Sequence, residues 1–221
     1  MQKRKSVMQD TFRHKGLRRK LVEELKELGI KDEQVLQTIG SIPRHWFIES
    51  SFEQKAYENT PFPIGSGQTI SNPYTVAYQS ELLQLKPTDI VLEIGTGSGY
   101  QATVLALLAT KVYSIERHKP LVNHTEKLLQ HLNLKNLQCF YGDGFEGLPQ
   151  FAPFDKIIIT AAAPEIPLKL IEQLKPGGLI VLPYGEGEVQ QMMRIKKKED
   201  LSIEKELFEY FTFVPMLKGT K

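Results

Sequence analysis

Three glycines at alternate positions, Gly95, Gly97 and Gly99, close an apolar run of strand length, Asp89-Ile90-Val91-Leu92-Glu93-Ile94. A helix-like pattern from Tyr100 to Ala109 follows at once. Glycine in such a turn lets the backbone take positive φ and lets a ligand approach it, while the free N–H groups of the next helix face whatever is bound. The chemistry this suits is the holding of something small. A dinucleotide fingerprint would put its third glycine at position 100, where Tyr100 stands, so a nicotinamide cofactor fits poorly. Two carboxylates flank the turn: Glu93, two residues before Gly95, and Glu116, at the end of the strand-like run Lys111–Ile115. The chain has no His-Glu-x-x-His, Cys-x-x-Cys, Gly-x-x-x-x-Gly-Lys-Ser/Thr or Gly-x-Ser-x-Gly, so metal hydrolysis, phosphate-loop and serine hydrolase chemistry lack their signatures. Cys139 is the single cysteine, which excludes an internal disulfide and a cysteine-rich metal site, and it reads as a buried strand position.

The elements that must position these groups belong to a chain of ordinary globular composition. Its 221 residues suit one domain with a small appendage. A formal charge of +2 from 28 basic and 26 acidic side chains gives no field for nucleic acid or an anionic membrane. No apolar run approaches the roughly 20 residues that span a bilayer, and Met1-Gln2-Lys3-Arg4-Lys5-Ser6 lacks the apolar core of a signal peptide, so a cytoplasmic protein is expected. Leu17, Leu21, Val22, Leu25 and Leu28 predict an amphipathic helix over 16–28, with Lys15, Arg18, Arg19 and Lys20 as a solvated face or a contact for an anionic partner. A second helix opens at the cap candidate Asp32, and His45 reads as a surface or hydrogen-bonded histidine. Three prolines and two glycines in residues 59–73 forbid a helix, leaving a packed binding loop or a linker. A helix from Pro73 to about Leu85 follows. Strands at 111–115, 137–141, 156–160 and 179–183 then alternate with helices at 121–132 and 168–174. That alternation predicts a doubly wound, three-layer α/β domain with a mostly parallel sheet. Gln190–Ile195 and Leu207–Val214, joined by a charged turn, predict an antiparallel hairpin at one edge.

In such a sheet the ligand lies over the carboxyl ends of the strands. With Glu93 before the glycines and Glu116 after the second strand, the pattern resembles the S-adenosyl-L-methionine pocket of the seven-stranded, Rossmann-like methyltransferases. The resemblance sets Gly95, Thr96, Gly97, Ser98 and Gly99 against the amino-acid part and sulfur of the cofactor. Glu116 can accept both ribose hydroxyls, or be a solvated charge. Asp143 of Gly142-Asp143-Gly144 can accept from the adenine amine, although Asp-Gly is also a common turn. Thr160-Ala161-Ala162-Ala163-Pro164 leaves space for donor and acceptor to meet, or is a purely structural loop.

Six stretches in order narrow the family. They are Ile64-Gly65-Ser66-Gly67-Gln68-Thr69-Ile70-Ser71-Asn72-Pro73, then Leu92 to Tyr100, Gly142-Asp143-Gly144, Thr160 to Pro164, Leu174-Lys175-Pro176-Gly177-Gly178 and Phe213-Val214-Pro215. Together they resemble the protein-L-isoaspartate O-methyltransferases, and the Gly-x-Gly-Gln-Thr-Ile-Ser-x-Pro loop is the diagnostic part. The resemblance implies methyl transfer from S-adenosyl-L-methionine to the carboxylate of isoaspartyl residues in damaged proteins, whose ester then closes to a succinimide. It implies Ser71 as the active-site serine, Gln68, Thr69 and Gly144 beside the cofactor, and Ile64, Thr69, Ile70, Ser71, Ala161, Val214 and Pro215 beside the peptide. Ser71 has a second possible role, capping the helix after Pro73. Asn72 stands where Gln or Ala is usual, which leaves its contacts open.

The expectation is therefore one methyltransferase domain over 1–221, with 1–58 a helical extension and 59–73 an active-site loop. It would act as a monomer on isoaspartyl proteins and peptides, without metal, nucleic acid or membrane. The alternatives are a methyltransferase for a small molecule or RNA, against which the missing basic stripe counts, and a non-catalytic binding module.

Overall fold

The computed structural model describes residues 8–221, so Met1–Ser6 lies outside the described residues. The chain opens with α1 (Phe12–Glu27) and α2 (Glu33–Ser41), whose Leu21, Leu25, Val35, Leu36 and Ile39 are buried together. α1 starts earlier than its apolar spacing indicates, because Thr11 caps it by accepting from the His14 N–H at 3.3 Å. Asp32 caps α2 as expected, its Oδ1 accepting from Gln34 and Val35 N–H at 2.9 and 3.1 Å. Arg18 corrects the expectation of a solvated basic face. It is 6% exposed, with its guanidinium on both oxygens of Asp10 and on the Tyr57 hydroxyl, and its Nε on the Gly40 carbonyl. His45 is buried and hydrogen-bonded, its Nδ1 2.7 Å from the Tyr57 hydroxyl and its Nε2 3.0 Å from the Gln9 carbonyl.

Residues 59–73 hold a small antiparallel hairpin, β1 (Phe62–Gly65) and β2 (Gln68–Ile70), turned by Ser66 and Gly67 at φ 54° and 71°. Phe62 faces Ile70 across it and both are buried, which rules out a bare linker. The prolines limit these strands to four and three residues. α3 (Pro73–Leu83) follows, with Pro73 in its first turn and Asn72 as its cap, Oδ1 accepting from Thr75 N–H at 2.7 Å. Asn72 thus takes the capping role that Ser71 could have had.

The chain then runs β3 (Ile90–Ile94), α4 (Tyr100–Leu108), β4 (Lys111–Glu116), α5 (Lys119–Leu132), β5 (Leu137–Tyr141), β6 (Phe154–Ile159), α6 (Leu168–Glu172), β7 (Leu174–Tyr184), β8 (Gln190–Lys197) and β9 (Ile203–Phe211). The sheet order is β5-β4-β3-β6-β7-β8-β9, parallel as far as β7 and antiparallel at β8 and β9. The central strands are apolar on both sides because both sides are covered. Leu92, Ile157, Ile159 and Leu182 pack towards α6, while Val91, Ile158 and Val181 pack with Leu83 of α3 and Ala102 and Leu105 of α4. Each such side chain contributes about 1.5–3 kcal/mol by leaving water.

Two expectations shift at the sheet's edges. β9 begins before Leu207 and ends at Phe211, because Glu204, Lys205 and Glu206 are exposed edge positions with no apolar alternation to betray them. Val214 and Pro215 have left the strand, and the Val214 carbonyl accepts from Ala162 N–H at 2.8 Å. Cys139 is only half-buried because β5 is the other edge, although burial still pushes its thiol up to about 12. Among the described residues, no helix is long and apolar enough to cross a membrane.

Candidate active site

At the carboxyl ends of β3, β4 and β6 the glycine turn lines a crevice. Gly95 has φ 98°, and a Cβ there would lie 2.4 Å from Thr160 Oγ1, so only glycine lets the end of β6 come this close. The Thr160 hydroxyl answers by reaching the Gly95 carbonyl at 2.7 Å. Gly97 is held on both sides, its N–H donating to Glu116 Oε2 at 2.9 Å and its carbonyl accepting from Thr125 Oγ1 at 2.9 Å. Glu116 Oε1 accepts from His118 N–H at 2.9 Å, which fixes the carboxylate at the crevice wall.

Gln68, Thr69, Ile70 and Ser71 come from the hairpin to this same crevice, and Ala161, Val214, Pro215 and Gly144 line it from the strand ends beyond. With Gly95, Thr96, Gly97, Ser98 and Glu116 they make up most of the residues expected there. Four lie outside the wall. Gly99 caps α4 at φ 82° where a Cβ would meet Thr125 Cγ2 at 2.6 Å, so it serves the packing of α5. Ile64 packs behind the turn, its Cδ1 3.4 Å from a Cβ built on Gly97. Asp143 sits behind Gly144, its Oδ1 accepting from Phe145 N–H at 2.9 Å and its Oδ2 from Gly219 N–H at 2.6 Å.

Glu93 is the fourth, at 0% exposure beneath the turn with Ser114 donating to its Oε2. Burial pushes it up to about 8, against the opposing hydrogen bond from Ser114. A folded-state value above the unfolded one means this group favours the fold below about 4.5 and loses that contribution as pH rises through about 8. Glu93→Gln is therefore expected to gain melting temperature relative to the wild type as pH climbs from 5 to 9; parallel melting curves across that range would contradict it.

The family model described as protein-L-isoaspartate(D-aspartate) O-methyltransferase matches residues 16–221. The chain belongs to this family. A protein-L-isoaspartate O-methyltransferase of Christiangramia forsetii is 52% identical over 211 residues, covering 96% of this chain and 99% of its own. One from Cytophaga hutchinsonii is 51% identical, covering 95% of each. A solved protein-L-isoaspartate O-methyltransferase superposes with a TM-score of 0.81 at 28% identity, over 90% of this chain and 65% of that one. A Plasmodium falciparum structure of the same description, in complex with S-adenosyl-L-homocysteine, superposes at 0.80 with 27% identity, over 91% and 99%. The chain is accordingly a protein-L-isoaspartate O-methyltransferase that uses S-adenosyl-L-methionine.

In this methyltransferase several crevice residues carry no sequence signal. Tyr100 and Gln101 come from the first turn of α4, and Met216 and Leu217 from the C-terminal segment. That segment is tied across the ends of β4 and β5: Arg117 Nε donates to the Gly219 carbonyl at 3.0 Å, and Lys221 N–H to the Arg117 carbonyl at 2.7 Å. An arginine after Glu116 and a short polar tail are unremarkable alone, and only the fold brings them together.

Proposed function

We propose that the crevice binds S-adenosyl-L-methionine with its ribose at Glu116, its adenine towards Gly144 and its amino-acid end along Gly95–Ser98, while the 59–73 loop brings the isoaspartyl carboxylate to Ser71. The observation that carries this is the meeting of Ser71, the glycine turn and Glu116 in one crevice. The groups present fit the cofactor: a turn too tight for side chains at Gly95, and a carboxylate held by backbone N–H groups with lone pairs left for hydroxyls. When bound, the cofactor supplies a methyl group on a sulfonium sulfur. No general base is needed, because a carboxyl of ordinary pKa near 4 is already ionised at neutral pH. The Ser71 hydroxyl donates one hydrogen bond to the carboxylate, enough to orient it while leaving its other oxygen unengaged. Ile70, Val214 and Met216 keep water from the meeting point, and holding the reactants together accounts for roughly 7–11 kcal/mol of such a barrier. Asp143 holds the C-terminal segment over the adenine end and Glu93 supports the turn from below.

Residues 1–221 act as one domain, with 1–58 as its helical extension, and the protein works as a cytoplasmic monomer. Packing of the N-terminal helices on Tyr100 and Val104 of α4 supports the single domain. A crystal structure with S-adenosyl-L-homocysteine tests the placement. Ribose hydroxyls on Glu116 and a sulfur facing Ser71 are expected; a ribose elsewhere would reject it.

A further inference from the structure

Away from the crevice, the fold of the N-terminal extension brings together three groups that carry no metal-ligand motif in the sequence. Asp10, His14 and His45 each present one ligand atom, and these atoms lie within 4.8 Å of one another. None of the three lines the crevice. Two imidazoles and a carboxylate are the donors that suit zinc and its neighbours in the first transition row. Two bonds of about 2.0–2.2 Å span at most about 4.4 Å, so the side chains have only a few tenths of an ångström to close.

Each member is also held by a further partner. His14 Nε2 is 3.2 Å from Glu53 Oε1, His45 Nδ1 is 2.7 Å from the Tyr57 hydroxyl, and the two Asp10 oxygens accept from Arg18 at 3.0 and 2.9 Å. Metal-bound imidazoles are oriented in this way, through the ring nitrogen that does not touch the ion. The opposite ends, His14 Nδ1 and His45 Nε2, meet only the Thr11 N–H at 3.3 Å and the Gln9 carbonyl at 3.0 Å. Both of those groups flank Asp10 in the chain. His45 ligates through Nε2 when its proton sits on Nδ1 and is donated to the Tyr57 oxygen, and the Gln9 carbonyl is then a free fourth donor. Each Asp10 oxygen keeps a lone pair beside its bond to Arg18. Asp10 and Glu53 against Arg18 leave one net negative charge around the group, which favours a divalent cation. Gln9, His14 and His45 line a cavity of about 560 Å³, which gives an ion its way in.

We propose that Asp10, His14 and His45 form a zinc site, with the Gln9 carbonyl as a further ligand and Glu53, Tyr57 and Arg18 as positioning residues. The bound ion ties residues 9 and 10 to α1 and to His45, and it takes no part in methyl transfer.

Titration of the metal-stripped protein with zinc chloride tests it. One ion per chain is expected, with a melting temperature that rises with free zinc. X-ray absorption of the one-to-one complex should show imidazole nitrogen at about 2.0–2.1 Å, oxygen beside it and no sulfur. Asp10→Asn and Glu53→Gln are each expected to weaken zinc at least about tenfold, the first by removing a ligand and the second by releasing His14. His124→Gln and His131→Gln alter histidines of the same cavity outside the group and should change nothing. No saturable binding by the wild type, sulfur in the shell, full affinity in Asp10→Asn, or adventitious binding that His124→Gln or His131→Gln abolishes would overturn the proposal. Should Asp10→Asn fail to fold, the stoichiometry and absorption spectrum of the wild type still decide.

Discussion

Glu116→Ala is expected to weaken S-adenosyl-L-homocysteine binding about a hundredfold, or about 2.8 kcal/mol. Two contributions add to that loss. The ribose loses a charged acceptor, and hydrogen bonds to charged groups are worth about 1.5–3 kcal/mol each. The turn also loosens, because the Gly97 and His118 N–H groups that Glu116 now holds at 2.9 Å lose their acceptor. In the proposed placement the isoaspartyl peptide lies at the Ser71 end, so its KM at saturating cofactor should change far less. Calorimetry on the purified variant decides, and unchanged cofactor affinity would mean that the ribose is placed wrongly.

Ser71→Ala is expected to leave cofactor affinity intact and to lower turnover at least tenfold, about 1.4 kcal/mol in the barrier. The separation follows from where the hydroxyl stands. Ser71 ends the hairpin and precedes the helix cap, and Asn72 rather than Ser71 supplies that cap, so the substitution removes no support from α3. What it removes, in the proposed arrangement, is the donor that orients the carboxylate. The methyl group arrives on a carrier with its own leaving group, which makes alignment of the acceptor the main contribution of the protein. Single-turnover measurement at saturating peptide separates alignment from affinity, and near-normal turnover would take Ser71 out of the mechanism.

Much of this site was legible because the chemistry demands local patterns. A strand that ends in a tight turn needs glycine where Thr160 presses on Gly95, and the carboxylate at the end of the next strand, Glu116, faces the same crevice. The parallel core was legible for a related reason, since strands such as Ile157–Ile159 are apolar on both faces and uninterrupted. What escaped depends on contacts distant in sequence. Arg18 looks like one cation in a basic run until Asp10 and Tyr57 close on it, and nothing in the sequence shows that the Asp143 carboxylate also accepts from the distant Gly219 N–H. The spacing of Glu93 from Gly95 does not show that strand alternation sets its side chain fully buried beside Ser114 of the neighbouring strand. The start of β9 was missed because an edge strand with charged residues on both faces has no hydrophobic period.

The central claim is that a carboxylate already ionised, and attached to the main chain through an isoaspartyl link, is the group this crevice accepts. It is tested most directly by giving the purified protein one peptide in its isoaspartyl and aspartyl forms, with S-adenosyl-L-methionine labelled in the methyl group. Base-labile label on the isoaspartyl peptide and essentially none on its aspartyl twin is the expected result. Equal labelling of the two, or labelling of neither while a small molecule or RNA is methylated, would contradict it.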